Sequence, residues 1–144
     1  MVPPRRPPGG GWVYDPARAF RRSKAPVPPD IKREVQRRAE HLINSTLKPR
    51  HIQPPPKKKR FNYLVDIHSK WRGPFFYFCS QYCSPGPNAL SASFESSFAR
   101  LQYAGGRRFN LAYFRHTGEW LEIAQLLSLK ECLSWIESGH IFLP

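Results

Sequence analysis

The chain has 144 residues and a mass of 16.7 kDa, room for one compact domain with tails at ~100–200 residues per domain, and too little for a two-domain enzyme. Lys and Arg number 23 against 10 Asp and Glu, a net charge of +13, which points to an anionic partner such as nucleic acid or a phospholipid surface. Sixteen prolines exclude regular structure along the whole length, because proline cannot sit inside helices or central strands in such numbers.

Division at Arg60 separates charge from folding material. Residues 1–60 hold 16 basic and 4 acidic side chains and 12 of the prolines, whereas residues 61–144 hold 7 basic, 6 acidic and 17 of the 20 aromatics. No apolar stretch of signal-peptide length follows Met1, and no run approaches the ~20 apolar residues of a membrane span. With an odd count of three cysteines, a reducing, cytoplasmic location and no membrane partner are the expectation.

Residues 1–29, rich in Pro, Arg and Gly, bury too little apolar surface to offset their ordering entropy and read as a disordered tail. From Asp30, an expected N-cap, the apolar residues Ile31, Val35, Ala39, Leu42, Ile43 and Leu47 recur at helical spacing, which predicts an amphipathic basic helix within residues 30–48. Pro49 is expected to end it. Residues 49–60, with Pro54-Pro55-Pro56 before Lys57, Lys58, Lys59 and Arg60, form a stiff basic linker. Residues 61–144 read as the folded domain.

Phe61 to Ser69 and Phe75 to Cys83 are β-rich and flank Arg72-Gly73, which predicts a hairpin. After the loop through Ser84-Pro85-Gly86-Pro87-Asn88 and a less regular stretch to Ser96, Ser97 to Tyr103 is the next strand. Gly105-Gly106 and Thr117-Gly118 are expected as two-residue turns around Arg108 to His116, with Glu119 to Gln125 last. Ser128 to Glu131 is a capping box opening a final helix with Leu129, Cys132, Leu133 and Ile136 on one face, and Gly139 is its stop. The fold class is therefore α+β: about five antiparallel strands, a hairpin plus a three-strand meander, with an N-terminal and a C-terminal helix on one face.

Two-residue turns set Arg115 opposite Trp120 and diagonal to Glu122, and divide the side chains between two faces. One face collects Ala99, Leu101, Ala112, Phe114, Leu121 and Ile123 and is the expected core. The other collects Phe109, Leu111, Tyr113, Arg115, Trp120 and Glu122, with Arg100 nearby. Aromatic rings stack bases and guanidinium groups hold phosphates, so Arg100, Tyr113, Arg115 and Trp120 are a candidate nucleic-acid or ligand surface. An exposed sheet face neutralised by Arg–Trp stacking and an Arg–Glu pair is the plainer reading. Lys57, Lys58, Lys59, Arg60, Arg37 and Arg38 are the candidate electrostatic contacts, and the Lys57–Arg60 run also has the form of a nuclear-import signal or a merely solvated linker.

His116 with Glu119, or Glu122 with Arg115, are the candidate catalytic groups, because a histidine and a carboxylate near one proton suit general acid–base work. A solvated cross-strand contact explains the same residues. Cys79 and Cys83 lie ~13 Å apart along a regular strand, too far to share a zinc ion, so no metal ligands and no cofactor are assigned. His68, Cys79 and Asp66 contain the residue types of a thiol nucleophile, its base and an orienting carboxylate. A small cysteine packed in a sheet is the competing explanation.

Three stretches, Phe98-Ala99-Arg100-Leu101-Gln102-Tyr103, Arg108-Phe109-Asn110-Leu111-Ala112-Tyr113-Phe114-Arg115-His116-Thr117-Gly118-Glu119-Trp120 and Glu131-Cys132-Leu133, give the chain its resemblance to a family of small bacterial domains of unknown function. The likeness runs from Asp66 to Pro87 and on to Phe142-Leu143-Pro144. It implies a bacterial cytosolic origin and carries over no catalytic role or ligand. The expected function is a non-enzymatic binding or accessory module that holds nucleic acid weakly through its basic extension. A small hydrolase or nuclease is the alternative, and a protein-interaction or homodimerisation module the third reading.

Overall fold

A computed structural model of the chain describes residues 26–54, 61–85 and 92–144. The tail up to residue 25, the Lys57–Arg60 run and the loop residues Gly86, Pro87 and Asn88 lie outside them. The first helix, α1 (Pro29–Leu42), begins two residues earlier than its spacing predicts, with Pro28 rather than Asp30 as N-cap and no side-chain capping bond. Pro29 suits this place because the first-turn N–H it lacks would have had no partner. Asp30 sits in the first turn instead.

Pro49 does not end the helix. The chain widens into a π-helical turn (Ile43–Leu47), closed by the Lys48 N–H donating to the Ile43 carbonyl, and continues as α2 (Lys48–His51). Proline lacks a donor and its ring crowds the carbonyl four residues back, and a wider turn just ahead of it relieves both conflicts. Val35, Ala39, Ile43 and Leu47 on this continuous helix are almost fully buried.

Five strands follow: β1 (Tyr63–Arg72), β2 (Phe75–Cys83), β3 (Ser93–Tyr103), β4 (Phe109–Phe114) and β5 (Trp120–Leu127). They pair antiparallel in chain order, so hairpin and meander are joined through β2–β3 into one five-stranded meander. Ser93 to Ser96, expected to be irregular, belong to β3. The last helix, α3 (Leu129–Ser138), carries both bonds of the capping box, Ser128 with Glu131, and ends at Gly139 with φ +80°.

The turns correct the predicted register. Gly73-Pro74, not Arg72-Gly73, joins β1 to β2 and pairs Arg72 with Phe75. Three residues, Gly105, Gly106 and Arg107, lie between the hydrogen-bonded Ala104 and Arg108, and three more, His116, Thr117 and Gly118, between Arg115 and Glu119. One extra residue in a hairpin loop turns the following strand over. The first extra residue inverts β4 relative to β3, and the second restores β5.

Phe109, Leu111 and Tyr113 of β4 therefore join Ala99 and Leu101 on the helix-covered face, with Ile123 of β5, while Ala112 and Phe114 turn outward. This reverses the expected placement of β4. Helix and sheet share one core, in which Ile31, Val35, Leu42 and Leu47 from the N-terminal helix and Cys132, Ile136 and Phe142 from the C-terminal segment cover Ile67, Phe76, Phe78, Leu101 and Leu111. Each large apolar side chain so enclosed contributes ~1.5–3 kcal/mol.

Candidate functional site

With both helices on one side, no element among the described residues covers the opposite face of the sheet. One register row crosses all five strands, Lys70, Tyr77, Arg100, Ala112 and Glu122. Arg100 sits between two rings at its centre, its guanidinium carbon 4.6 Å from the Phe75 centroid and 4.8 Å from that of Trp120. Trp120 in turn contacts Tyr77, with centroids 5.8 Å apart, and Phe114 at 5.2 Å. Tilted and edge-on contacts of this kind are the arrangements that aromatic pairs prefer.

Beside this cluster runs a groove of about 440 Å³ lined by Lys70, Arg72, Tyr77, Glu95, Phe114 and Trp120. Two cations and three aromatic rings thus face one concavity. Glu95 is ion-paired with Lys70, which donates to its Oε2, and its Oε1 lies at hydrogen-bond distance, 2.8 Å, from His68 Nε2. The bond from Lys70 holds the Glu95 carboxyl below its ordinary range and, reciprocally, holds the Lys70 ammonium above its own. His68 stands directly opposite Cys79, and Cys79 opposite Ser97, with Cys79 Sγ 3.6 Å from Ser97 Oγ. Burial pushes the Cys79 thiol upward.

The sequence-predicted residues are dispersed by this architecture. Arg100, Trp120 and Glu122 lie on the open face as expected, but Tyr113 is on the helix side, edge-to-face with Phe142 at 6.2 Å. Arg115 closes the β4–β5 turn through its backbone and does not stand opposite Trp120, whose partner is Phe114. His116 and Glu119 are exposed at that turn, and neither side chain has a hydrogen bond or ion pair among the described residues. Arg37 and Arg38 line a different groove, of about 530 Å³, with His41 and Lys130 between α1 and α3. Lys57, Lys58, Lys59 and Arg60 lie outside the described residues. Asp66 pairs with Gln81 and not with Cys79, and its carboxylate meets Lys48 at 2.9 Å.

No local sequence signal marks Lys70, Arg72, Phe75, Tyr77 and Glu95 as one surface. The alternation Phe75, Tyr77, Cys79 was visible in β2, but Phe76 and Phe78 are equally apolar. Composition could not say which set faces water. Only the pairing of β1 and β2 through Gly73-Pro74 brings Lys70 and Arg72 beside those rings.

An α+β domain with a helix-covered sheet and an open basic–aromatic face is the class these features define. Residues 27–144 match the family described as Domain of unknown function (DUF3024), and the chain belongs to it. No curated protein and no solved structure matches the chain. No helix among the described residues is long and apolar enough to cross a membrane.

Proposed function

We propose that the protein is a non-enzymatic binding module for single-stranded nucleic acid, acting in the cytoplasm. The observation that carries this reading is the groove in which Lys70 and Arg72 flank Tyr77, Phe114 and Trp120. Cations that follow a phosphate backbone beside rings that stack bases are what sequence-tolerant single-strand binding requires. The excess charge of residues 1–60 supports an additional, purely electrostatic contribution from the extension, including Lys57, Lys58, Lys59 and Arg60. Three free cysteines, two of them buried, accord with a reducing compartment.

Fluorescence anisotropy of labelled single-stranded RNA and DNA with the full chain, at rising salt, tests the proposal. Trp120→Ala and Tyr77→Ala should each weaken binding roughly 5- to 150-fold, the ~1–3 kcal/mol of one stacked base. Replacing Lys57, Lys58, Lys59 and Arg60 by Ala should weaken it uniformly and flatten the salt dependence. Absence of binding at low salt overturns the proposal. Binding indifferent to Trp120→Ala and Tyr77→Ala removes the sheet face from it, and oligonucleotide cleavage abolished by His116→Ala would replace it with a nuclease.

A further inference from the structure

Adjacent strands β1, β2 and β3 bring three different donor types together beside the groove. His68 and Cys79 are cross-strand partners. Glu95 reaches them because of a bulge: Phe78 pairs with Ala99, but Cys79 pairs with Ser97, so Phe98 is skipped. Without that extra residue, Ser97 and Glu95 would point to the opposite face from Cys79. With it, a His68 ring nitrogen, the Cys79 Sγ and a Glu95 carboxylate oxygen lie within 4.8 Å of one another.

We propose that His68, Cys79 and Glu95 form a three-ligand site for a zinc ion. Tetrahedral zinc with bonds of about 2.0–2.3 Å places its ligand atoms roughly 3.3–3.8 Å apart, close to the separations the three donors already have. Nitrogen, sulfur and oxygen donors are all ordinary zinc ligands, and the thiolate favours zinc over magnesium or calcium. The surroundings suit the bound state. Lys70 grips Oε2 and leaves Oε1 towards His68, and the Ser97 hydroxyl lies within reach of the sulfur to stabilise a thiolate. Such neighbours orient metal ligands. Binding displaces the thiol proton to solvent. Glu95 and Ser97 also line the groove, which leaves the fourth coordination position to water or to a group bound there. The site shares Lys70 and the groove with the proposed nucleic-acid surface, but the donor geometry and the metal titration do not depend on that reading.

Titration of the reduced, metal-stripped full chain with Co2+ is the test. One equivalent should produce tetrahedral visible bands and a thiolate-to-cobalt charge-transfer band, both bleached by Zn2+. Cys79→Ser should abolish the charge-transfer band, and Glu95→Gln or His68→Gln should lower affinity at least about tenfold, whereas Cys83→Ser and Cys132→Ser should leave the spectrum unchanged. His68→Gln and Glu95→Gln alter half-exposed or exposed side chains, so they decide the matter even where Cys79→Ser fails to fold. No charge-transfer band in the wild type, or one that survives Cys79→Ser or is indifferent to both surface variants, overturns the site.

Discussion

Asn110 shows how one buried polar residue determines local backbone. It is 1% exposed, and its Oδ1 accepts the Leu126 N–H at 3.0 Å, where Leu126 has φ +57° and the β4–β5 ladder shifts register. Its Nδ2 has no partner among the described residues, so its contribution runs through the oxygen. Asn110→Ala leaves the Leu126 donor unsatisfied and is expected to destabilise the fold by ~1–3 kcal/mol in urea unfolding. The cysteines differ in the same residue-level way: burial pushes the Cys132 thiol up to about 12 and raises that of Cys79, while Cys83 is only partly covered. A thiol reagent at neutral pH should label Cys83 first and the other two only as fast as the protein opens. Rapid native labelling of Cys132 would contradict its burial. Nothing in the composition distinguished these three thiols, because burial belongs to the strand or helix face and not to the residue type.

At the scale of elements, the C-terminal helix was the most legible. Ser128, Glu131 and Gly139 are local signals, and the bonds they predict span three residues or fewer. The bonds Glu131 makes with Ser128 hold its carboxyl below its usual 4.5. A carboxyl lowered by folding adds stability that is complete above its ordinary value and is lost as pH falls through the lower folded value. Circular dichroism against pH should therefore show helix loss in that acidic window, and Glu131→Gln should remove that part of the pH dependence. The hairpins were less legible. Gly105-Gly106 and Thr117-Gly118 were recognisable as turns, but loop length decides parity and one residue inverted β4. Gly118, at φ +89° with open space around a would-be Cβ, carries the left-handed position of the three-residue turn. Gly118→Ala is expected to cost ~1–2 kcal/mol from backbone strain alone, measured by thermal unfolding.

For the whole molecule, the basic helix proves to be structural as well as charged. Leu47 and Ala39 are completely buried, the Trp71 indole N–H donates to the Lys32 carbonyl at 3.3 Å, and the Arg50 guanidinium donates to the Glu137 carbonyl at 2.6 Å. Leu47→Ala should cost ~2–5 kcal/mol. Residues 61–144 alone, having lost that layer, should show no cooperative unfolding, whereas residues 26–144 should. Cooperative melting of the shorter fragment would show that the sheet and C-terminal helix suffice.

Taken by itself, the sequence determined the element types, their order, the capping of the last helix and the concentration of charge before Arg60, because spacing, capping and turn chemistry act over a few residues. Tertiary structure alone decided which face of β4 is buried, that Pro49 is absorbed by a π-helical turn, and that His68, Cys79 and Glu95 meet on one side of the sheet. Those outcomes depend on single-residue insertions in turns and ladders, and in a sheet whose two faces are both rich in apolar residues no local pattern reports them. The net charge of +13 is divided by the fold in a corresponding way: part lies on the helix that covers the core, and Lys70, Arg72 and Arg100 lie on the open face opposite.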